Sequence, residues 1–334
     1  MTASLSRLVN PRAGRVRAVR RLAGRVGRSR AGLFAVEGPQ AVREAVRAAA
    51  AGTAAVTMLY STDQAAQRYA TELHEARVAG VPVVPVDDAV LAAMSETVTP
   101  QGLLAVCRLV DRPLSDVLDE VLTGVPVDVP GRRPALLAIL AHVRDPGNAG
   151  TVLRAADAAG AGAVVLTEGS VDVHNPKCVR STAGSIFHLP VVQGAPLGDV
   201  VQRLRERGVV VLAADGDGEH DLDDLQDEAH SDPGALLRRP TAWIFGNEAW
   251  GLGRSERALA DAVVRVPLHG RAESLNLATA ATVCLYASAR AHRPAARAAT
   301  ARGQADSGYS PTMGTEVGDD GTAGTGRGDE SGVW

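Results

Sequence analysis

Apolar and polar positions alternate along this chain in two blocks, each reading as strands followed by helices. In the first block, residues 12–23 suggest a short basic helix and 32–36 a strand running into Glu37, Gly38 and Pro39. Periodicity then predicts helix 40–50, strand 55–60, helix 63–78, strand 82–86, helix 88–94 and strand 103–107, with turns marked by Gly80, Pro82, Pro100 and Gly102. This is a small layered α/β domain.

Pro113, Pro126, Pro130 and Pro134 surround one amphipathic helix near 114–122, so the stretch between the blocks reads as a linker. The second block opens with an apolar run at 135–141, of the kind buried on both faces in parallel sheets. Helix 149–159, strand 162–166, helix 176–183, a short run at 187–192, helix 197–207 and strand 208–213 follow. An acidic, loop-like stretch at 215–233 leads to strands 241–245 and 262–266 and a last helix from 275. Such alternation predicts a mostly parallel sheet with helices on both faces. From about 294 the residues are Ala, Gly, Thr, Asp and Ser, and a disordered tail is expected. The domain organisation is then a basic arm at 1–30, a first domain at 31–108, a linker at 109–134, a second domain at 135–293 and a tail at 294–334. No internal repeat is visible.

Charge modifies this picture in one place. The formal net charge is −3 over 334 residues, yet nine arginines from Arg7 to Arg30, among them Arg12, Arg15, Arg20 and Arg21, precede the first carboxylate, Glu37. A basic segment on a mildly acidic chain is an electrostatic footprint for a phosphate backbone, although a solvated helix face would also carry it. No apolar run reaches the roughly 20 residues of a membrane span, and no secretory leader is expected. Cys107, Cys178 and Cys284 lie far apart without metal-ligand spacing, reading as reduced core thiols of a cytoplasmic protein.

Candidate chemistry concentrates in three stretches, each starting where an apolar run ends: DPGNAGTVLR at 145–154, IFGNEAWGL at 244–252 and SLNLA at 274–278. Open α/β folds bind ligands at the ends of strands. In the first, Asn148 sits where a helix cap belongs, and Val152, Ala155, Ala156 and Ala159 share one helical face while Arg154 and Asp157 point elsewhere. An ordinary surface pair of Arg154 and Asp157 would explain that pattern equally well. In the second, Gly246 allows close approach to the backbone and Glu248 beside Trp250 is a positioned carboxylate, unless the segment is a plain turn. In the third, Ser274 and Asn276 either serve a site or simply cap and support the last helix.

Together, Asn148 through Arg154, Phe245 through Gly251, and Pro267 and Leu268 followed by Ser274 through Ala278 resemble the three signature motifs of the SpoU (TrmH) family of RNA ribose 2′-O-methyltransferases, within the SPOUT superfamily. Order and spacing agree over about 135–291. Residues 33–38 and 99–105 resemble the ribosomal-protein-L30e-like substrate-binding domain that many members carry. The resemblance implies an α/β fold with a C-terminal trefoil knot, S-adenosylmethionine as cofactor, a homodimer packed through the knot domain, and no metal. It implies Asn148, Arg154, Glu248, Ser274 and Asn276 as the catalytic set, and Gly246, Val266, Leu268 and Leu275 as cofactor contacts. Val266 and Leu268 stand where isoleucine and methionine are usual. The N-terminal arginines Arg12, Arg15, Arg20 and Arg21 would bind RNA. Large structured RNA, 23S rRNA above tRNA, is the expected substrate.

Two other readings have weaker support. No G-x-G-x-x-G follows an early strand, which argues against a dinucleotide-dependent dehydrogenase. A protein that binds rRNA without catalysis would not need the five polar residues of the implied catalytic set.

Overall fold

The structure is a computed structural model describing residues 6–122 and 134–293; the second half of the expected linker and the expected tail lie outside these residues. The first block comprises α1 (Gly14–Arg20), α2 (Arg25–Ala31), β1 (Leu33–Glu37), α3 (Pro39–Ala50), β2 (Val56–Ser61), α4 (Asp63–Arg68), α5 (Ala70–Val78), β3 (Val83–Pro85), α6 (Asp88–Met94) and β4 (Leu103–Arg108). Its four strands form a mixed sheet in the order β1-β4-β2-β3, with only β2 and β3 parallel. The single helix expected over 63–78 is two, because Thr62 caps α4 and Tyr69 leaves the helical region at φ −118°.

The basic N-terminal segment is docked on this sheet. Val16, Val19 and Leu22 are buried with Tyr60, Val84 and Leu91 on one face of it, while Arg12, Arg15, Arg17, Arg20 and Arg21 point to solvent. Arg28 behaves differently: it is 3% exposed and forms a salt bridge to Asp172 of the second block at 2.5 Å. Its guanidinium also donates to the Leu22 and Ala23 carbonyls.

After α7 (Leu114–Leu122), the second block runs β5 (Leu136–Leu140), α8 (Pro146–Ala159), β6 (Ala163–Thr167), α9 (Pro176–Thr182), β7 (Val191–Ala195), α10 (Leu197–Arg205) and β8 (Val210–Ala214). It continues with β9 (His220–Asp221), α11 (Leu222–Ser231), β10 (Thr241–Phe245), α12 (Arg254–Arg257), β11 (Ala262–Arg265) and α13 (Leu277–Ala291). The seven strands are parallel in the order β7-β6-β5-β10-β8-β11-β9. Alternate residues are buried on opposite faces. Leu136, Ala138 and Leu140 join the core shared with Trp243, Phe245 and α13, whereas Leu137 and Ile139 join that beneath α7 and α10. The first of these cores is continuous with Phe34, Leu59 and Cys107 of the first sheet.

One expectation is corrected here. The acidic stretch 215–233 is mostly ordered secondary structure, because Leu222, Leu225 and Ala229 recur at helical spacing and bury one face of α11. In the second sheet, β10 inserts between β5 and β8.

Candidate active site

The insertion of β10 beside β5 makes a switch point in the sheet. In parallel α/β sheets the crevice outside the carboxyl ends of strands at such a point accepts ligands. The segments following β5 and β10 are tied together there. Asn247 donates through Nδ2 to the His142 carbonyl at 2.7 Å. Glu248 accepts from the Arg144 backbone N–H at 3.2 Å and the Asp145 N–H at 3.0 Å. His142 holds a left-handed backbone, φ 54°, unusual for a residue with a side chain. Its ring faces Glu256 at 3.0 Å.

From Glu248 a chain of side chains crosses to α13. Asn148 donates through Nδ2 to Glu248 Oε1 at 3.3 Å, and Asn276 donates through Nδ2 to Asn148 Oδ1 at 3.1 Å. Asn276 also caps α13, accepting at Oδ1 from the Ala278 and Thr279 N–H groups. Burial alone would raise the Glu248 carboxyl. Hydrogen bonds from its own backbone and from Arg144, Asp145 and Asn148 outweigh that and hold it below the ordinary carboxylate range. With both oxygens engaged, Glu248 is an orienting acceptor and a poor base.

Asn148 is not the cap of α8. That helix starts three residues earlier, with Pro146 and Gly147 in its first turn, and Asp145 caps it by accepting from the Asn148 N–H at 2.9 Å. Asp145 also pairs with Lys177, the only lysine in the chain, at 2.8 Å. The hydrogen bond to Lys177 comes first among the causes that keep the Asp145 carboxyl low. Asp157 does not pair with Arg154, since it meets His188 at 2.7 Å. Arg154 is exposed on α8 and forms no hydrogen bond or salt bridge among the described residues. A cation left without a carboxylate in a carboxylate-rich chain is free to meet an anion.

Beside Glu248 a cavity of about 450 Å³ opens at the carboxyl ends of β8, β10 and β11. Phe245, Val264, Val266, Leu275 and Leu277 supply apolar surface, and Asp215, Asp217, Glu248 and Ser274 supply polar groups. Gly246 and Leu268 also line it, so all four residues implied as cofactor contacts share one wall system. Of the five implied catalytic residues, Glu248 and Ser274 line the cavity, Asn148 donates to Glu248, and Asn276 donates to Asn148. Arg154 joins neither group.

The reason for glycine at 246 differs from close ligand approach. A Cβ there would lie 2.5 Å from the Gly251 carbonyl group, which faces it across a tight turn closed by mutual Asn247 and Gly251 backbone hydrogen bonds at 3.0 and 2.9 Å. Periodicity missed Arg144, Asp145, His142 and Asn247 as builders of the site. Only the Pro146 and Gly147 turn signal after Asp145 could have pointed to one of them. Among the described residues no group of three or more His, Cys, Asp or Glu side chains could hold a metal, and no helix is long and apolar enough to cross a membrane.

The SpoU rRNA methylase family model matches residues 135–286, and an MRM3-like substrate-binding domain model matches residues 13–105. The chain is 33% identical over 285 residues to the 23S rRNA (uridine(2479)-2′-O)-methyltransferase of Streptomyces viridochromogenes, covering 84% of this chain and 90% of that protein. It is 32% identical over 259 residues to the 23S rRNA (guanosine(2553)-2′-O)-methyltransferase RlmP of Bacillus subtilis, covering 78% and 89%. The AdoMet-bound rRNA methyltransferase of Sinorhizobium meliloti superposes with a TM-score of 0.69 at 26% identity, over 86% of this chain and 97% of that one. With the motif-bearing segments gathered at one switch point and relatives matched over nearly their full length, the chain belongs to the SpoU rRNA methylase family.

Proposed function

We propose that this protein transfers a methyl group from S-adenosylmethionine to a ribose 2′-hydroxyl of 23S rRNA. The observation that carries this reading is the hydrogen-bonded line Glu248, Asn148, Asn276, which joins three segments distant in sequence at the rim of a cavity. Both relatives are named as 23S rRNA 2′-O-methyltransferases, and the structural neighbour is described with AdoMet bound.

The cavity suits that cofactor. Its volume falls within the roughly 300–1,000 Å³ of small-molecule pockets. Apolar side chains offer surface for a purine, and the carboxylates of Asp215 and Asp217 offer negative charge toward a cationic ligand. S-adenosylmethionine would supply a methyl group on a positively charged sulfur; transfer to the ribose oxygen would leave the neutral thioether S-adenosylhomocysteine and release the hydroxyl proton to solvent, and it needs in-line alignment of the two. Gly246, Val266, Leu268 and Leu275 hold the cofactor, chiefly through backbone and apolar contact. Glu248 fixes the Asn148 amide, and Ser274 presents a hydroxyl at the rim.

Arg154 carries a planar fork of donors suited to a phosphate or a developing alkoxide. A guanidinium keeps its proton at neutral pH, so Arg154 acts here as an electrostatic stabiliser. Replacing it with Lys keeps the charge and removes the fork, and turnover at saturating RNA is expected to fall. Near-wild-type turnover for Arg154→Lys would refute the need for planar geometry.

Arg12, Arg15, Arg20 and Arg21 form an exposed basic surface on the first block, which guides the phosphate backbone to the site. The two family models support a division into a substrate-binding domain and a methyltransferase domain joined by the linker. Val283 and Tyr286, 39% and 49% exposed on α13, support a homodimer through the second block, whose knotted topology belongs to the same proposal. A cytoplasmic location belongs to the same proposal.

The test is label transfer from radioactive S-adenosylmethionine to purified 23S rRNA, 16S rRNA and bulk tRNA, with Arg154→Ala as control. Alkali-stable labelled dinucleotides from 23S rRNA are expected, because a methylated 2′-oxygen cannot attack the neighbouring phosphate. Label confined to tRNA would overturn the substrate assignment. Cofactor binding without label in any RNA would favour an RNA-binding role alone.

A further inference from the structure

Trp250 is 55% exposed, an unusual cost for the largest apolar side chain, and it stands at the rim of the cavity two residues after Glu248. The guanidinium of Arg144 lies over its ring, 5.1 Å from the centroid. Arg144 is itself exposed and has no salt bridge among the described residues. The pair is rigidly mounted. The Arg144 N–H is held by Glu248, the preceding His142 carbonyl by Asn247, and the Trp250 turn by the Asn247 and Gly251 backbone pair. The indole thus has one face under a cation, with more than half of its surface open to solvent, at the place where the proposed reaction needs a ribose.

Sequence-specific RNA recognition mostly targets loops and bulges, whose unstacked bases stack on aromatic side chains or arginine planes, so a nucleotide presented to that cavity from such a site needs a partner for its base. Aromatic faces and arginine planes are the sequence-tolerant partners for such bases, and an arginine charge adds attraction to the flanking phosphate. We propose that Trp250, backed by Arg144, is the stacking platform for the unpaired nucleobase at or beside the methylated ribose. This assignment rests on the RNA methyltransferase reading above and names how that site holds its substrate.

The test separates three affinities in the full-length protein. Binding of in vitro transcribed 23S rRNA is measured by filter retention, S-adenosylmethionine binding by calorimetry, and the KM and kcat for RNA by label transfer, in wild type, Trp250→Ala, Trp250→Phe and Arg144→Ala. Loss of one stacked base weakens RNA binding by about tenfold to a hundredfold. Trp250→Ala is therefore expected to raise KM for RNA by that factor with cofactor affinity unchanged. Trp250→Phe should recover much of the loss, and Arg144→Ala should show a smaller loss that shrinks at high salt. Quenching of tryptophan fluorescence by the transcript should disappear in Trp250→Phe, a readout independent of turnover. Cofactor affinity that falls in Trp250→Ala while RNA affinity holds would overturn the proposal by making the indole a cofactor wall. Unchanged RNA affinity together with an altered oligomeric state would overturn it in favour of a second copy of this chain as the occupant. A wild type that binds the transcript and is quenched through Trp250, yet transfers no label, would leave the platform standing and refute the methyltransferase reading instead.

Discussion

Asn276 carries two loads that a single substitution can separate. Its Oδ1 caps α13 and its Nδ2 donates to Asn148. Asp at this position keeps the cap, because a carboxylate serves an N-terminus as well as an amide does, but it loses the donor. Asn276→Asp should therefore keep the wild-type urea midpoint while label transfer falls by roughly tenfold to a hundredfold through lost alignment. Asn276→Ala should lose both, with about 1 kcal/mol less stability. Glu248 offers a second check through pH. Its carboxyl is held below the ordinary value of 4.5, so its contribution to stability is present above that value and is lost as pH falls through the lower folded one. Activity between pH 5 and pH 8 should therefore show no titration from Glu248. A mid-range inflection abolished by Glu248→Gln would contradict the orienting role.

Helices and strands meet at close contacts that small residues make possible. A Cβ on Gly150 would fall 2.3 Å from the Cys178 carbonyl oxygen and 2.7 Å from the Ser181 Cβ, so the backbone of α8 packs directly against the backbone of α9. Gly150→Ala should force these helices apart and cost about 1–3 kcal/mol in chemical denaturation. Because α8 carries Asn148 and Arg154, activity should fall with it. Between β10 and α13 the fully buried Trp243 donates its indole N–H to Ser288 Oγ at 2.8 Å. Ser288→Val would strand that donor, at a cost of about 1–3 kcal/mol. Most of these elements were legible in the sequence, since β5, β6 and β8 are runs almost wholly of Val, Ile, Leu and Ala, and β10 runs Ala242, Trp243, Ile244 and Phe245, with glycines or prolines nearby. Helix α11 was misread because carboxylates crowd its exposed face and conceal the Leu222, Leu225, Ala229 repeat. The Asn148 cap was misread because Pro146 and Gly147, ordinarily turn residues, are also tolerated in the first turn of a helix.

At the scale of the molecule, two ionic contacts among the described residues couple the first block to the second. Arg28 and Asp172 are 3% and 10% exposed. Breaking such a pair from one side leaves an uncompensated buried charge, so Asp172→Asn should cost about 3–5 kcal/mol and Arg28→Met with Asp172→Leu far less. The second contact is His188, which meets Asp157 of α8 at 2.7 Å and Glu44 of α3 at 3.3 Å. Burial pulls the imidazole below its ordinary 6.5, but hydrogen bonds and charge from both carboxylates outweigh it and raise the value. The contribution is fully present below about 6.5 and is lost as pH rises through the raised folded value. Stability of the wild type relative to His188→Gln should accordingly decline from pH 6 toward pH 8, as read by urea midpoints across that range.

The sequence by itself determined the two α/β blocks, the parallel character of the second sheet, the three motif-bearing segments and the exposed arginines, because each depends on periodicity or turn chemistry within a dozen residues. Only the tertiary structure decided that β10 lies between β5 and β8, and this insertion brings Glu248 within reach of Asn148, a hundred positions earlier. It also decided that Arg28 turns inward while its neighbours face water, and that Arg144 lies over Trp250. Strand order and side-chain partners across such separations follow from how whole faces are buried, a global minimum of packing and desolvation that no local pattern encodes.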